Sequence, residues 1–263
     1  MDHRAKLQWA RNHFGTLDQA VDAFIKNEPY KLSVKFDAQE DAYIAWLTEV
    51  TDMPAEWRLM LGDIIQNTRS ALDALTYALA CKNLGGPPSD RQVIQIQFVI
   101  VDDPGNWPGE CGRRLSCLHP DAVTVIHGLQ PCHRTDRTKR HALSVLRDLS
   151  NVDKHRHIVL ALAAAASSGI TITHPAIPGG TEVVDGYVGP IEKDTMVARW
   201  QYVAGGRPIP NIFHPDVDAH GKLGLDVQFP SGWPAYGGSV LGFLPNLLDF
   251  IETRVFPPLE ALL

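Results

Sequence analysis

Residues 54–84, PAEWRLMLGDIIQNTRSALDALTYALACKNL, decide the fold of this chain. Apolar side chains recur at three- and four-residue steps from Trp57 to Leu79, and this periodicity predicts one long amphipathic helix. Pro54 suits the start of a helix, where its missing N–H costs little. The Gly-Gly-Pro-Pro run at 85–88 ends the helix, because glycine and proline disfavour its continuation. Length and a continuous apolar stripe make this the central helix of the predicted fold.

The segments around this helix predict a mixed architecture. A helix is expected over 3–26, and alternating apolar residues predict a hairpin of strands over 30–36 and 43–50. After the central helix the patterns predict, in order, a strand at 93–101, a short helix after His119-Pro120, a second long helix at 138–154, strands at 170–173, 196–202 and 223–229, and a helix from Ser239. Residues 158–166 fit either a continuation of the second long helix or a strand. This order predicts an α+β fold with long central helices, an antiparallel sheet and a C-terminal helix.

Composition and segment order together suggest how the chain is organised. We expect a helical domain with an N-terminal β-hairpin over 1–167. A β-rich segment with the C-terminal helix over 168–263 is either part of that domain or separate. Of the 263 residues, 44% are hydrophobic and 21% are charged, as in globular proteins. Lys and Arg number 24 against 30 Asp and Glu, so the net charge of -6 argues against a globally basic nucleic-acid binder.

The sequence predicts a cytoplasmic protein without a membrane partner. No apolar signal-peptide core follows Met1–Lys6, and no run of about 18 apolar residues could span a membrane. Four cysteines without a dense pattern suit reduced thiols. Formation of a homo-oligomer is left open.

Polar residues interrupt the central helix near its middle. Asp63, Asn67 and Ser70 share one face at steps of four and three, and Arg69 and Asp73 form an i, i+4 pair beside them. Buried polar groups need partners, so two interpretations compete. Either the Arg–Asp pair is a structural ion pair that ties the helix to its neighbours, or the polar face lines a ligand pocket.

A second polar cluster, Ser150-Asn151-Val152-Asp153-Lys154-His155-Arg156-His157, ends the second long helix. Cations near a helix C-terminus interact favourably with the helix dipole, so the cluster suits a simple cap. It also suits a titratable imidazole beside anion-binding side chains, as RNA cleavage or phosphate binding requires. Further cations and a histidine upstream make this segment a local basic patch: Arg134, Arg137, Lys139, Arg140, His141 and Arg147.

Together the two motifs resemble a widespread set of uncharacterised bacterial and phage proteins. The matching patterns are Gly-Asp-x3-Asn-x-Arg-Ser-Ala-Leu-Asp at 62–73 and Asn-x-Asp-Lys-His-Arg at 151–156. The resemblance covers residues 30–160 and implies no activity by itself.

A fainter similarity is to HEPN-type helical domains, whose RNases use Arg-x4–6-His on a helix. That spacing occurs at Arg114–His119 and at Arg134–His141. Ala74 stands where a histidine often follows the first motif in the resembling proteins. The similarity implies a HEPN-like nuclease or a degenerate relative that binds RNA or another phosphate-bearing ligand.

The leading hypothesis therefore places a site between the two motifs. Arg69 and Arg156 are assigned to anion binding, Asp73 to orienting Arg69, and His155 to acid–base work. The other candidate ligand-binding residues are Asp63, Asn67, Asn151, Asp153 and Lys154.

Two alternatives come from other classes of protein. In the first, the same residues form a buried ion-pair network in a non-catalytic scaffold. In the second, a metal-dependent enzyme uses the soft ligands of a Pro-rich segment, which suit zinc although their spacing fits no standard pattern: Cys111, Cys117, His119, Cys132 and His133. No cofactor is predicted. The chain also lacks the glycine-rich motifs of dinucleotide enzymes and P-loop NTPases and the Gly-x-Ser-x-Gly elbow of α/β-hydrolases.

Overall fold

The computed structural model describes residues 2–40, 42–134, 141–155, 158–164, 169–173, 181–204, 207–208, 218–222, 224–230 and 238–263. The helices are α1 (His3–Lys26), α2 (Glu56–Leu84), α3 (Asp90–Val93), α4 (Trp107–Arg114), α5 (Pro120–Gly128), α6 (Ala142–His155), α7 (Val240–Phe250) and α8 (Phe256–Glu260). The strands are β1 (Tyr30–Asp37), β2 (Ala42–Val50), β3 (Ala161–Ala164), β4 (Gly169–Thr173), β5 (Thr181–Gly186), β6 (Gly189–Pro190), β7 (Met196–Ala204), β8 (Arg207–Pro208), β9 (Asp218–Lys222) and β10 (Leu225–Gln228). The strand pairs between these elements are antiparallel, and the α+β fold is confirmed.

The chain divides into two compact units. Unit 1 comprises Met1–Asp18, Ala55–Val159 and Gly232–Leu263, and unit 2 comprises Gln19–Pro54 and Leu160–Ser231. These units do not follow the predicted division after residue 167. The C-terminal helices group with the first helical region, and the N-terminal hairpin groups with the later strands.

Helix α2 supplies much of the core of unit 1. Its buried side chains repeat along the predicted stripe, and α2 packs against α6 and α8. The helix ends as expected at Gly85, whose φ of 68° lies in the left-handed region that favours glycine. The N–H of Gly86 then donates to the Cys81 carbonyl at 3.0 Å, which satisfies one of the last helical acceptors.

The prediction of a strand at 93–101 is wrong. Residues 90–93 form the short helix α3, and residues 96–101, here called the extended segment, belong to no described strand pair. Its apolar side chains are buried, with Phe98 only 1% exposed. An apolar run of this length is typical of a buried strand, but here the hydrogen-bond partners of the main chain are largely side chains.

The C-terminal helices complete unit 1. Ser239 caps α7 by accepting a hydrogen bond from the Gly242 N–H at 3.0 Å. A π-helical turn at Ile251–Val255 leads directly into α8. Pro257 and Pro258 lie in the first turn of α8, where their missing N–H groups are tolerated, so the helical path continues through them.

Unit 2 contains the sheets. The hairpin of β1 and β2 continues through β7 to β5, with β8 paired to β7, so the N-terminal hairpin and later strands share a five-stranded sheet. Strands β10, β3 and β6 form a second sheet, and β4 and β9 a third. Within 158–166, residues 161–164 form strand β3. In the described part of the chain, no helix has the length and apolarity needed to cross a membrane.

Candidate functional site

Unit 1 contains an open cleft of about 960 Å³, within the range typical of ligand sites. Its walls come from α2, the extended segment, the turn after that segment, α4 and α6. The described lining carries balanced charges from four arginines and four carboxylates: Arg69, Arg113, Arg114 and Arg147, with Asp73, Asp102, Asp103 and Glu110. These features make the cleft the candidate functional site.

Arg69 and Asp73 of α2 hold the extended segment at Phe98. Asp73 Oδ1 accepts a hydrogen bond from the Phe98 N–H at 2.8 Å, and Arg69 Nη2 donates to the Phe98 carbonyl at 2.6 Å. The two side chains also pair with each other, with 3.1 Å between Arg69 Nη2 and Asp73 Oδ1. We call this pair the Phe98 bracket, because it takes both main-chain groups of one residue as a neighbouring strand would. The pair thus ties α2 to its neighbour and also lines the cleft.

Gln130, two residues after α5, holds the opposite edge of the extended segment. Its Nε2 donates to the carbonyls of Val99 and Ile126, each at 2.9 Å, and its Oε1 accepts from the Val101 N–H at 2.9 Å. The Cys132 N–H donates to the Val101 carbonyl at 3.2 Å. Successive residues of an extended chain turn their main-chain groups to opposite edges. Odd-numbered residues therefore face Gln130, and even-numbered residues face the Phe98 bracket.

Arg147 of α6 is fixed by two carboxylates at the cleft wall. Its Nη2 donates to Asp102 Oδ2 and to Asp148 Oδ1, each at 2.7 Å, and the Ser144 hydroxyl donates to the other oxygen of Asp102. Burial alone lowers the pKa of Arg147, but the hydrogen bonds to Asp102 and Asp148 outweigh it, so the pKa is raised. Arg147 is therefore a permanent, oriented cation.

Helix α4 brings Arg113 and Arg114 to the cleft, and both approach the single carboxylate of Glu110. Arg113 Nη2 donates to Glu110 Oε1. Arg114 Nε lies 3.9 Å from Glu110 Oε2, and its Nη1 donates to the Gln95 carbonyl at 3.4 Å. The Arg113 side chain is 53% exposed. Two guanidinium groups that share one carboxylate leave a formal excess of one positive charge at this wall.

The two sequence motifs meet where α2 packs on α6. A Cβ added to Gly62 would lie 2.8 Å from Asp153 Oδ1, closer than real Cβ contacts. One turn further along α2, Gln66 Nε2 donates to Asp153 Oδ2 at 3.1 Å. Gly62 therefore permits the close approach of the two helices, and Asp153 serves as a packing and hydrogen-bonding partner of α2.

Asp63 and Asn67, two of the predicted ligand-binding residues, are not among the described residues that line the cleft. Asp63 is exposed, and Asn67 Nδ2 donates to the Asp63 carbonyl within α2 at 2.8 Å. The positions of α2 that contact Asp153 and Phe98 are instead Gly62, Gln66 and the Phe98 bracket. The polar face expected from the sequence is thus displaced by about one residue around the helix.

The second motif reaches the cleft through Ser150 and Asn151. Asn151 is exposed, whereas Ser150 is 2% exposed and its Oγ is buried without a hydrogen-bond partner among the described residues. The assigned roles of the following residues stay predictions. The side chains of Lys154 and His155 lie outside the described part of the structure. Arg156 and His157 lie outside it entirely.

In the Pro-rich segment, the described cysteines and histidines do not form a metal site. His119 caps α5, where its Nδ1 accepts a hydrogen bond from the Asp121 N–H at 3.3 Å. Burial raises the pKa of the Cys111 and Cys132 thiols, which favours the protonated form over the thiolate that binds metal. Over the described ranges, no group of three His, Cys, Asp or Glu side chains could hold a metal ion.

The two Arg–His pairs with the HEPN spacing do not lie on one described helix. Arg114 ends α4, and His119 precedes α5. In the other pair, His141 directly precedes α6, where its Nδ1 accepts from the Leu143 N–H at 3.2 Å and its ring packs edge-on against Phe250. Burial lowers the pKa of His141, and the nearby charge of an arginine lowers it further. The neutral imidazole of His141 is thus a cap of α6.

Sequence reasoning missed much of the cleft wall. Arg113 and Glu110 follow an i, i+3 spacing that predicts a charged helix face, and this signal could have revealed α4. Asp102 and Asp103 precede a Pro-Gly pair that is typical of a turn. Gln130 carries no comparable signal, because its partners in the extended segment are set by tertiary packing.

Comparison of the chain with protein-family models, with curated proteins and with solved structures gives no match. The cleft is therefore interpreted from its own residues.

Proposed function

We propose that unit 1 is a binding module that holds a phosphate-bearing ligand in the cleft. The observation that carries this proposal is the α4 wall, where Arg113 and Arg114 share the carboxylate of Glu110. A guanidinium group that is not fully paired can bind a phosphate through two parallel N–H···O bonds. Arg69 and Arg147 supply further guanidinium groups whose orientation is fixed before a ligand arrives.

The charge balance of the cleft favours a ligand with few phosphates over a long RNA. RNA and DNA binding depend on the neutralisation of many phosphates by an excess of Lys and Arg. The described lining has four arginines and four carboxylates, so its formal charges cancel. A single phosphate can still bind at the α4 wall, because the local excess of positive charge lies there.

Binding, and not cleavage, is the activity that this lining supports. The described lining residues include no histidine, and His141 is engaged as a helix cap. Under this proposal, the property that the chain shares with HEPN domains is the binding of a phosphate-bearing ligand. Acid–base catalysis by His155 stays a separate prediction.

A scaffold without a ligand is the second candidate, and the Phe98 bracket favours it. Both Arg69 and Asp73 are occupied by the main chain of Phe98, as a structural ion pair requires. Loss of stability on replacing Arg69 therefore fits both candidates. The arginines of α4 discriminate between the two candidates. The Arg113 side chain is exposed, and Arg114 donates to the Gln95 carbonyl only at a long 3.4 Å.

The test is calorimetric titration of the full chain with ribose 5-phosphate, inorganic pyrophosphate and a short single-stranded RNA. Arg113→Gln combined with Arg114→Gln should weaken phosphate binding by about tenfold or more, since a hydrogen bond to a charged group contributes about 1.5–3 kcal/mol. Arg254→Gln is the matched control, because Arg254 is exposed in unit 1 and is not among the described lining residues. Equal affinity in the α4 variant and the control, or no binding of any probe, would favour the scaffold.

A further inference from the structure

On the even-numbered edge of the extended segment, the main-chain groups of one residue are open at the cleft. On this edge, the N–H and C=O of Phe98 are taken by Asp73 and Arg69. The next residue on that edge is Ile100, which lines the cleft. Within the described residues, neither the N–H nor the C=O of Ile100 has a hydrogen-bond partner. Main-chain groups of a residue that is only 8% exposed are rarely left unpaired.

The open edge is one residue long, which limits what can bind to it. The Phe98 bracket occupies the preceding position, and the chain bends at Asp102 and Asp103 immediately after the segment. A peptide added as a strand needs a series of main-chain partners along an edge. A single N–H beside a single C=O instead matches a compact planar group that offers an adjacent acceptor and donor.

Nucleobases are such groups, because their Watson–Crick edges place donors next to acceptors. The same cleft holds the arginines of the α4 wall, so a base and a phosphate could bind within one volume of about 960 Å³. Ser150 lines this cleft too, and its buried hydroxyl is a second polar group without a partner among the described residues. The cleft therefore combines groups suited to a phosphate with groups suited to an uncharged polar ligand.

We infer that the ligand of unit 1 is a nucleotide, with its base hydrogen-bonded to the main chain of Ile100 and its phosphate bound by Arg113 and Arg114. This inference rests on the proposed phosphate-binding function and names the ligand class. Recognition through the main chain of Ile100 explains why the α2 bracket stops at Phe98 and leaves the next position open.

The test compares ribose 5-phosphate with the four ribonucleoside monophosphates by calorimetry on the full chain. At least one nucleotide should bind about tenfold more tightly than ribose 5-phosphate, as two added hydrogen bonds would produce. Ile100→Pro removes the N–H without breaking a described hydrogen bond, and proline is compatible with extended backbone. It should abolish the preference for the nucleotide, whereas the matched variant Ile100→Val, which keeps the N–H, should retain it.

A second readout covers the case in which Ile100→Pro does not fold. In the wild-type chain with isotopically labelled isoleucine amides, the signal that disappears in Ile100→Val belongs to Ile100. That signal should shift on addition of the nucleotide and stay in place with ribose 5-phosphate. Equal affinity for nucleotide and ribose 5-phosphate, or an unshifted Ile100 signal at nucleotide saturation, overturns the inference while phosphate binding stands. Failure of every phosphate compound to bind overturns both.

Discussion

Replacement of Gln130 by leucine should strongly destabilise unit 1. The change keeps a side chain of similar size but removes all three hydrogen bonds of the carboxamide. The Val99 carbonyl and the Val101 N–H then lose the partner that Gln130 provided, whereas the Ile126 carbonyl still accepts from the Leu129 N–H at 3.2 Å. Each buried group left unsatisfied costs about 1–3 kcal/mol. After the small gain from an added apolar side chain, the expected loss is about 2–5 kcal/mol.

The assay is urea-induced unfolding followed by far-ultraviolet circular dichroism, which reports on the long helices of unit 1. Gln95→Leu serves as the matched control, since Gln95 is exposed and surface substitutions usually change stability by less than about 0.5 kcal/mol. A Gln130→Leu variant that unfolds at the same urea concentration as the Gln95→Leu control would refute the reasoning. The extended segment would then not depend on the carboxamide for its position.

Three further predictions concern helix packing, the bracket and pH. Gly62→Ala should lower the free energy of unfolding in urea by about 1 kcal/mol, because the added Cβ would lie 2.8 Å from Asp153 Oδ1 and the cost of this overpacking exceeds the gain in helix propensity. The second substitution Asp153→Ala should relieve the clash. Arg69→Met should lower stability by about 1.5–3 kcal/mol, and a double-mutant cycle with Asp73→Asn should reveal coupling between the two sites; additive losses would contradict the bracket. Because burial lowers the pKa of His141, its contribution to stability is complete above the ordinary histidine pKa of 6.5 and is lost as the pH falls through the lowered value. His141→Asn, which keeps a capping acceptor, should flatten this acid-side loss in pH-dependent unfolding, and an unchanged profile would assign the loss to other groups.

The fold could be predicted wherever local periodicity and tertiary packing agree. Helix α2 follows its apolar stripe and ends at Gly85, and the hairpin of β1 and β2 follows its alternation. The extended segment is the element for which the sequence-based prediction of a strand failed. Its buried apolar run has the composition of a strand, but strand identity depends on a neighbouring main chain. Here side chains from α2 and from Gln130 take that place, and no local pattern reveals such a substitution.

The candidate site could be predicted only in part, for a related reason. Arg69 and Asp73 are recognisable because they interrupt an apolar stripe at a spacing of four residues. Their partner, the main chain of Phe98, is invisible in the sequence, since all residues except proline carry the same main-chain groups. Arg113 and Arg114 belong to a helix that sequence reasoning overlooked, and the open edge at Ile100 exists only because the bracket ends one step before it.

When side chains supply the hydrogen-bond partners of a main-chain segment, different positions of the sequence are constrained in evolution. In a strand ladder, hydrogen bonds persist through almost any substitution, so selection acts on the packing of side chains. In the extended segment, the hydrogen bonds depend on three distant positions, 69, 73 and 130, while the buried apolar residues of the segment are free to vary among apolar types. Homologous chains should therefore replace Arg69, Asp73 and Gln130 together or retain them together, and a chain that has lost one should carry a compensating change at another. Such linked substitutions would identify this architecture in sequences that share no other recognisable feature.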